Sequence, residues 1–82
     1  MKAEINGTNY DTDAADLLAT CNFEGGIIDQ LYFDYTNEFF LCGGSCNQIR
    51  PISFTLAKYW AERFAGHEVY QKVLRLHYVY MR

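Results

Sequence analysis

From Leu31 to Cys42 the chain changes period, and that change limits what it can fold into. Leu31, Phe33 and Tyr35 alternate with Tyr32, Asp34 and Thr36, and Phe39-Phe40-Leu41-Cys42 follows a turn at Asn37. Alternation with period two, broken by a polar turn, predicts a β-hairpin. A three-residue loop of Thr36, Asn37 and Glu38 sets Tyr35 opposite Phe39 and Phe33 opposite Leu41. Tyr32, Asp34, Phe40 and Cys42 then share the other face. A two-residue loop shifts this register, so the faces depend on the turn.

Aromatic residues fall on both faces of this hairpin. With 82 residues there is room for one domain, and helices can cover only one side of its sheet. Either the face with Tyr32 and Phe40 meets a partner, or the C-terminal segment folds over it. Half of the residues are apolar, among them six Phe, seven Tyr and one Trp. Large aromatics bury the most area per side chain, so the core needs no disulfide or metal.

Elsewhere the elements are shorter. Ala3-Glu4-Ile5, the turn Asn6-Gly7 and Thr8-Asn9-Tyr10 predict a small N-terminal hairpin. Asp11 or Thr12 reads as a helix cap, and Ala14, Leu17, Leu18 and Cys21 form one helical face with Asp13 and Asp16 on another. Ser53 caps a second helix running from about Phe54 to Ala65. Its stripe is Leu56, Ala57, Trp60, Ala61 and Phe64, and Gly66 ends it. The last segment fits two patterns: Val69, Val73, Leu76, His77 and Tyr80 fall on one helical face, whereas Leu74, Leu76, Tyr78 and Tyr80 alternate as in a strand. The preferred reading is a helix over residues 68–76 and then an extended aromatic tail. The expected fold is α+β: a single domain, 1–82, with about three antiparallel strands and two to three helices.

Net charge is −3, unevenly spread. Residues 1–47 hold eight acids against Lys2, whereas residues 48–82 hold six bases against Glu62 and Glu68. Such asymmetry steers association with charged partners. Three cysteines, an apolar run too short to span a membrane and an N-terminus without an apolar stretch are the pattern expected of a cytoplasmic chain with free thiols.

No reactive constellation stands out. Cys42 and Cys46 flank Gly43-Gly44-Ser45, but no second ligand pair accompanies them, so neither zinc nor another cofactor is expected. Ser45 has no base at a recognisable spacing and Ser53 reads as a cap, so no enzyme is expected. Lys58, Arg63, Lys72, Arg75 and Arg82 beside Tyr59, Tyr70 and Tyr78 form a basic half suited to a small nucleic-acid-binding regulator. The overall acidity argues against direct nucleic-acid binding. The residues favour a protein–protein interaction module, monomer or homodimer, whose partner surface comprises Asp13, Asp16, Tyr32, Asp34, Glu38 and Phe40.

The chain also resembles a family of short proteins carried by bacterial mobile elements and prophages. The similarity lies in Asn6-Gly7, Tyr10-Asp11-Thr12, the stretch Ala14-Ala15-Leu17, the strand Glu38-Phe39-Phe40-Leu41 running into Gly43-Gly44, and Ile49 to Ser53 leading into Ala57, Trp60, Ala61 and Glu62. Family members carry a longer glycine-rich insertion where this chain has Gly43 to Asn47. Proteins of this size and origin include anti-CRISPR inhibitors. The resemblance implies a small acidic inhibitor that blocks a CRISPR surveillance complex of the host.

Overall fold

A computed structural model of the protein describes residues 1–44 and 48–80. The predicted hairpin is its centre. Strand β4 (Ile28–Asp34) pairs antiparallel with β5 (Glu38–Gly43), setting Tyr32 opposite Phe40, Phe33 opposite Phe39 and Leu31 opposite Leu41. Phe39 thus lies opposite Phe33, not Tyr35 as the sequence suggested. The turn causes this. One carboxylate oxygen of Asp34 accepts the N–H groups of Thr36 (2.8 Å) and Asn37 (3.3 Å). This Asx-type turn ends β4 at Asp34 and starts β5 at Glu38, whose φ is 70°. The displacement is even, so every side chain keeps its expected face.

Two further strands complete a sheet of order β3-β4-β5-β6, antiparallel throughout. Strand β3 (Asp16–Asn22) replaces the helix expected between its start at Asp11-Thr12-Asp13 and Gly25-Gly26. The cap signal is real but short-lived: Asp11 accepts the N–H of Asp13 at 3.0 Å and closes only a 3₁₀ turn, Thr12–Ala14. Ala15 is already extended. Thr20, Cys21 and Asn22 are weak helix formers, and β4 would otherwise present an open edge. Pairing with β4 overrides the helical spacing, with a bulge between Leu17 and Ala19. On the other side, β6 (Gln48–Ile52) is an edge strand, where Pro51 costs no ladder bond.

Ser53 caps α1 (Phe54–Trp60) as predicted, its Oγ accepting the N–H of Leu56 at 3.1 Å. The helix then widens into a π-helical turn, Ala61–Ala65, and Gly66 ends it with φ 102°. Ala57, Trp60 and Ala61 are buried, but Leu56 and Phe64 of the predicted stripe are exposed. The wider turn rotates Phe64 outward, where its ring meets Trp60 and Phe23 edge-on. Helix α2 (His67–Tyr80) is continuous, so the expected tail is helical instead. Val73 and Leu76 keep the helical period and are buried.

The result has three layers. On one face of the sheet, Leu31, Phe33, Phe39 and Leu41 pack under Ala57, Trp60, Ala61, Val73 and Leu76. On the other, Phe40, Cys42 and Ile49 pack under Tyr10. Tyr10 belongs to the predicted hairpin of β1 (Lys2–Ile5) and β2 (Thr8–Asp11), whose turn uses Asn6 and Gly7 at φ 52° and 81°. The N-terminal hairpin, not the C-terminal segment, therefore covers the second aromatic face. Among the described residues, six strands in two sheets stand where about three were expected. Among the described residues no helix is long and apolar enough to cross a membrane.

Candidate partner-binding surface

Antiparallel pairing brings three of the predicted carboxylates to one end of the sheet. Asp34 closes β4, Glu38 opens β5 directly opposite it, and Asp16 opens β3 opposite Phe33. Asp13 stands apart, in the exposed 3₁₀ turn beside Tyr32. The expectation that Asp13 and Asp16 share a helix face is corrected, because no helix forms there. Tyr32 is half-buried and stacks on Phe40, with centroids 5.2 Å apart and planes 7° apart. Its hydroxyl donates to Gln30 Oε1 at 3.3 Å. Burial raises the Tyr32 pKa, helped by the charges of Cys42 and Asp13. Phe40 is 0 % exposed and lies edge-on to Tyr10, so it supports Tyr32 from below and presents no surface of its own.

The aromatic residues exposed beside the acids are others. Tyr35 is 50 % exposed, and its hydroxyl donates to Asp16 Oδ2 at 2.6 Å. That hydrogen bond is the main reason its pKa is raised. Its ring packs edge-on against Phe33 and Tyr80, at 4.9 and 5.1 Å. Tyr80, 55 % exposed, ends α2. One turn back, His77 stacks on Phe54 at 3.7 Å and turns Nδ1 toward Glu38 Oε1, 3.5 Å away. That geometry is too long for a hydrogen bond, and Nδ1 has no other polar partner. Glu38 of the sheet thus lies beside His77 of the helical layer. Sequence reasoning missed Tyr80 and His77 because it ended α2 at residue 76, although Tyr80 lies four residues beyond Leu76 on the same helical stripe.

The charge distribution has a layered form. Between Lys2 and Arg50 there is no Lys or Arg. Arg50 pairs with Asp29 toward the opposite end of the sheet. Gly44 leaves that pair its space, since a Cβ there would lie 3.4 Å from both Arg50 Nη2 and Asp29 Oδ1. Lys58, Arg63, Lys72 and Arg75 all lie on the helical layer. The hairpin-turn end carries Asp16, Asp34 and Glu38 with no cationic Lys or Arg on its own strands.

The thiols have structural settings. Cys21 donates to the Phe64 carbonyl at 3.1 Å, and burial, aided by Asp29, pushes its thiol pKa up. Cys42 is buried, with Sγ 3.5 Å from Met1 Sδ. Cys46, Ser45 and Arg82 lie outside the described residues, so the Cys42–Cys46 pattern falls partly outside them too. Among the described residues, no three His, Cys, Asp or Glu side chains are arranged so that they could hold a metal ion. The N-terminal hairpin borders two open grooves, of about 410 and 520 Å³, the larger lined by Met1, Lys2, Ala3, Ile5, Gln48 and Ile49. Comparison with protein-family models, curated proteins and solved structures returned no match.

Proposed function

We propose that the protein is a non-enzymatic inhibitor that seats the acidic, tyrosine-rich end of its sheet on a basic surface of a host macromolecular complex in the bacterial cytoplasm. The supporting observation is that Asp16, Asp34 and Glu38 share one end of the sheet with half-exposed Tyr35 and Tyr80. Carboxylates fixed at such a surface meet the Lys and Arg side chains that otherwise hold phosphates, and tyrosines add apolar contact area where hot spots concentrate. The resemblance to mobile-element proteins supports a CRISPR surveillance complex as the target, with the acids occupying its nucleic-acid channel.

The test replaces Asp16 and Glu38 by Lys and Asp34 by Asn, which preserves the Asx turn. Binding to purified CRISPR surveillance complexes is then measured at low and high salt, with phage survival in a CRISPR-immune host alongside. The folded variant is expected to bind roughly ten- to a hundredfold more weakly, with slower association at low salt. Equal binding would remove the acidic end from the interface, and a wild type inert against every complex tested would remove the inhibitor reading. One observation favours a second reading: Lys58, Arg63, Lys72 and Arg75, four of the five described bases of the C-terminal half, share the helical layer. A nucleic-acid regulator using that layer would bind DNA without any protein partner and weaken steeply with salt.

A further inference from the structure

The two edges of the four-stranded sheet differ. At β6 the edge carries Arg50 and Pro51, the charged and N–H-free residues that keep other strands away. At β3 it carries no Lys, Arg or Pro, and its one charge, Asp16, stands at the strand's start. Strand β3 pairs only with β4, and among the described residues its outer side makes no backbone hydrogen bond. After Asp16 its protective device is the bulge between Leu17 and Ala19, beyond which Ala19–Asn22 pair regularly with β4. Leu17, 49 % exposed, with Thr20 and Asn22, faces solvent along this edge.

The charges around the edge have one sign. Asp13 and Asp16 precede or open the strand, Glu24 follows it, and no Lys or Arg lies on β3, on β4 or in the turns flanking β3. We infer that β3 is an acceptor edge for an extended basic segment of the protein partner, which joins the sheet as a fifth strand outside β3. Added strands gain affinity from main-chain hydrogen bonds and specificity from alternate side chains. Here one alternate set of the incoming strand reaches Leu17 and Thr20, and its Lys or Arg residues meet the carboxylates at either end. A second copy of this chain fits poorly. Antiparallel pairing of β3 with itself brings Asp16 of each copy toward the neighbour's Asn22–Glu24 end, with no base between them. The inference rests on the proposed function only for the partner's being a basic protein surface.

The probe is an acetylated heptapeptide of alternating Arg and Val. Two controls accompany it: a form with alternate amides N-methylated, made in both phases, and a form with Glu in place of Arg. Binding is read by calorimetry, and β3 by amide hydrogen exchange. The Arg/Val peptide is expected to slow exchange at Ala19–Asn22 tenfold or more. The Glu peptide and the N-methylated phase that blocks the edge should do neither. The folded double variant Asp16→Lys, Glu24→Lys should lose the peptide while keeping its circular dichroism. Three results overturn the inference: no binding at millimolar peptide, binding without slowed β3 amides, or equal binding by both N-methylated forms. Any of these, with the surveillance complex still sensitive to the Asp16, Asp34 and Glu38 changes, would leave the acidic-end reading standing. Slowed β3 amides with an inert surveillance complex would do the reverse.

Discussion

Each face of the four-stranded sheet has its own cover, and the two covers differ in depth. Toward the helices, Phe33 and Phe39 are fully enclosed by side chains from α1, the π turn and α2. Toward the N-terminal hairpin, Phe40 is equally enclosed, but by a core of four buried residues in which Tyr10 is the hairpin's one buried aromatic. The helical layer spans the sheet from Ala19 and Cys21 of β3 to Ile52 of β6. The hairpin sits over Phe40, Cys42 and Ile49, and Leu17 and Ile28 remain exposed on the β3–β4 half of the same face. The deep cover defines the fold, and the shallow one decides where open surface is left.

The largest test of this difference is Phe33→Ala. Removing a fully buried aromatic costs about 3–5 kcal/mol, against a total of roughly 5–15 kcal/mol for a small domain. Urea unfolding should shift to much lower denaturant in one cooperative transition; a loss under 1 kcal/mol would mean that the helical core is not the dominant one. Tyr10→Ala should cost less, about 1.5–3 kcal/mol, and act locally. Hydrogen exchange should rise in β1 and β2 while β4, β5 and α2 stay protected. Simultaneous loss of protection everywhere would show the two covers to be one cooperative unit.

The smallest effect belongs to Asp16→Asn. The hydrogen bond from Tyr35 to the Asp16 carboxylate raises the folded-state pKa of the phenol, so this contribution is complete below the ordinary tyrosine value of about 10. It is lost as pH climbs through the raised value. In Asp16→Asn the phenolate absorbance of Tyr35 should appear at lower pH, nearer the ordinary range, with the fold unchanged. An unmoved titration would show that Asp16 does not hold this tyrosine.

The parts of the fold that sequence revealed are those governed by neighbours in the chain. Asn6-Gly7, the alternation through Leu31–Leu41 and the Ser53 cap each specify local geometry; the first and last appear where expected, and the hairpin keeps its faces while its register moves by two. Strand β3 was hidden because Ala14, Leu17, Leu18 and Cys21 satisfy a helical spacing, and only pairing with β4 selects the strand. The cover over Phe40 was hidden for the same reason, since nothing local ties Tyr10 to a residue thirty positions on. At the candidate surface the acids were legible by type, but their meeting at the turn end depends on antiparallel pairing. Tyr35 joins them through the pairing that brings Asp16 beside the turn, and Tyr80 because α2 continues to residue 80.

The separation between Tyr10 and Phe40 also has a kinetic meaning. Strands β3 to β6 each pair with the next in sequence, so the sheet can zip through short loop closures, whereas docking of the hairpin must close a long one. The hairpin itself forms early, from adjacent residues, but its landing site exists only after β5 and β6 are in place. Until then Phe40, Cys42 and Ile49 face water as a sticky strip, the kind of transient surface that makes folding chains aggregate. Tyr10→Ala is expected to populate that state at equilibrium, and uptake of an apolar fluorescent dye by this variant, absent in the wild type, would make the strip visible.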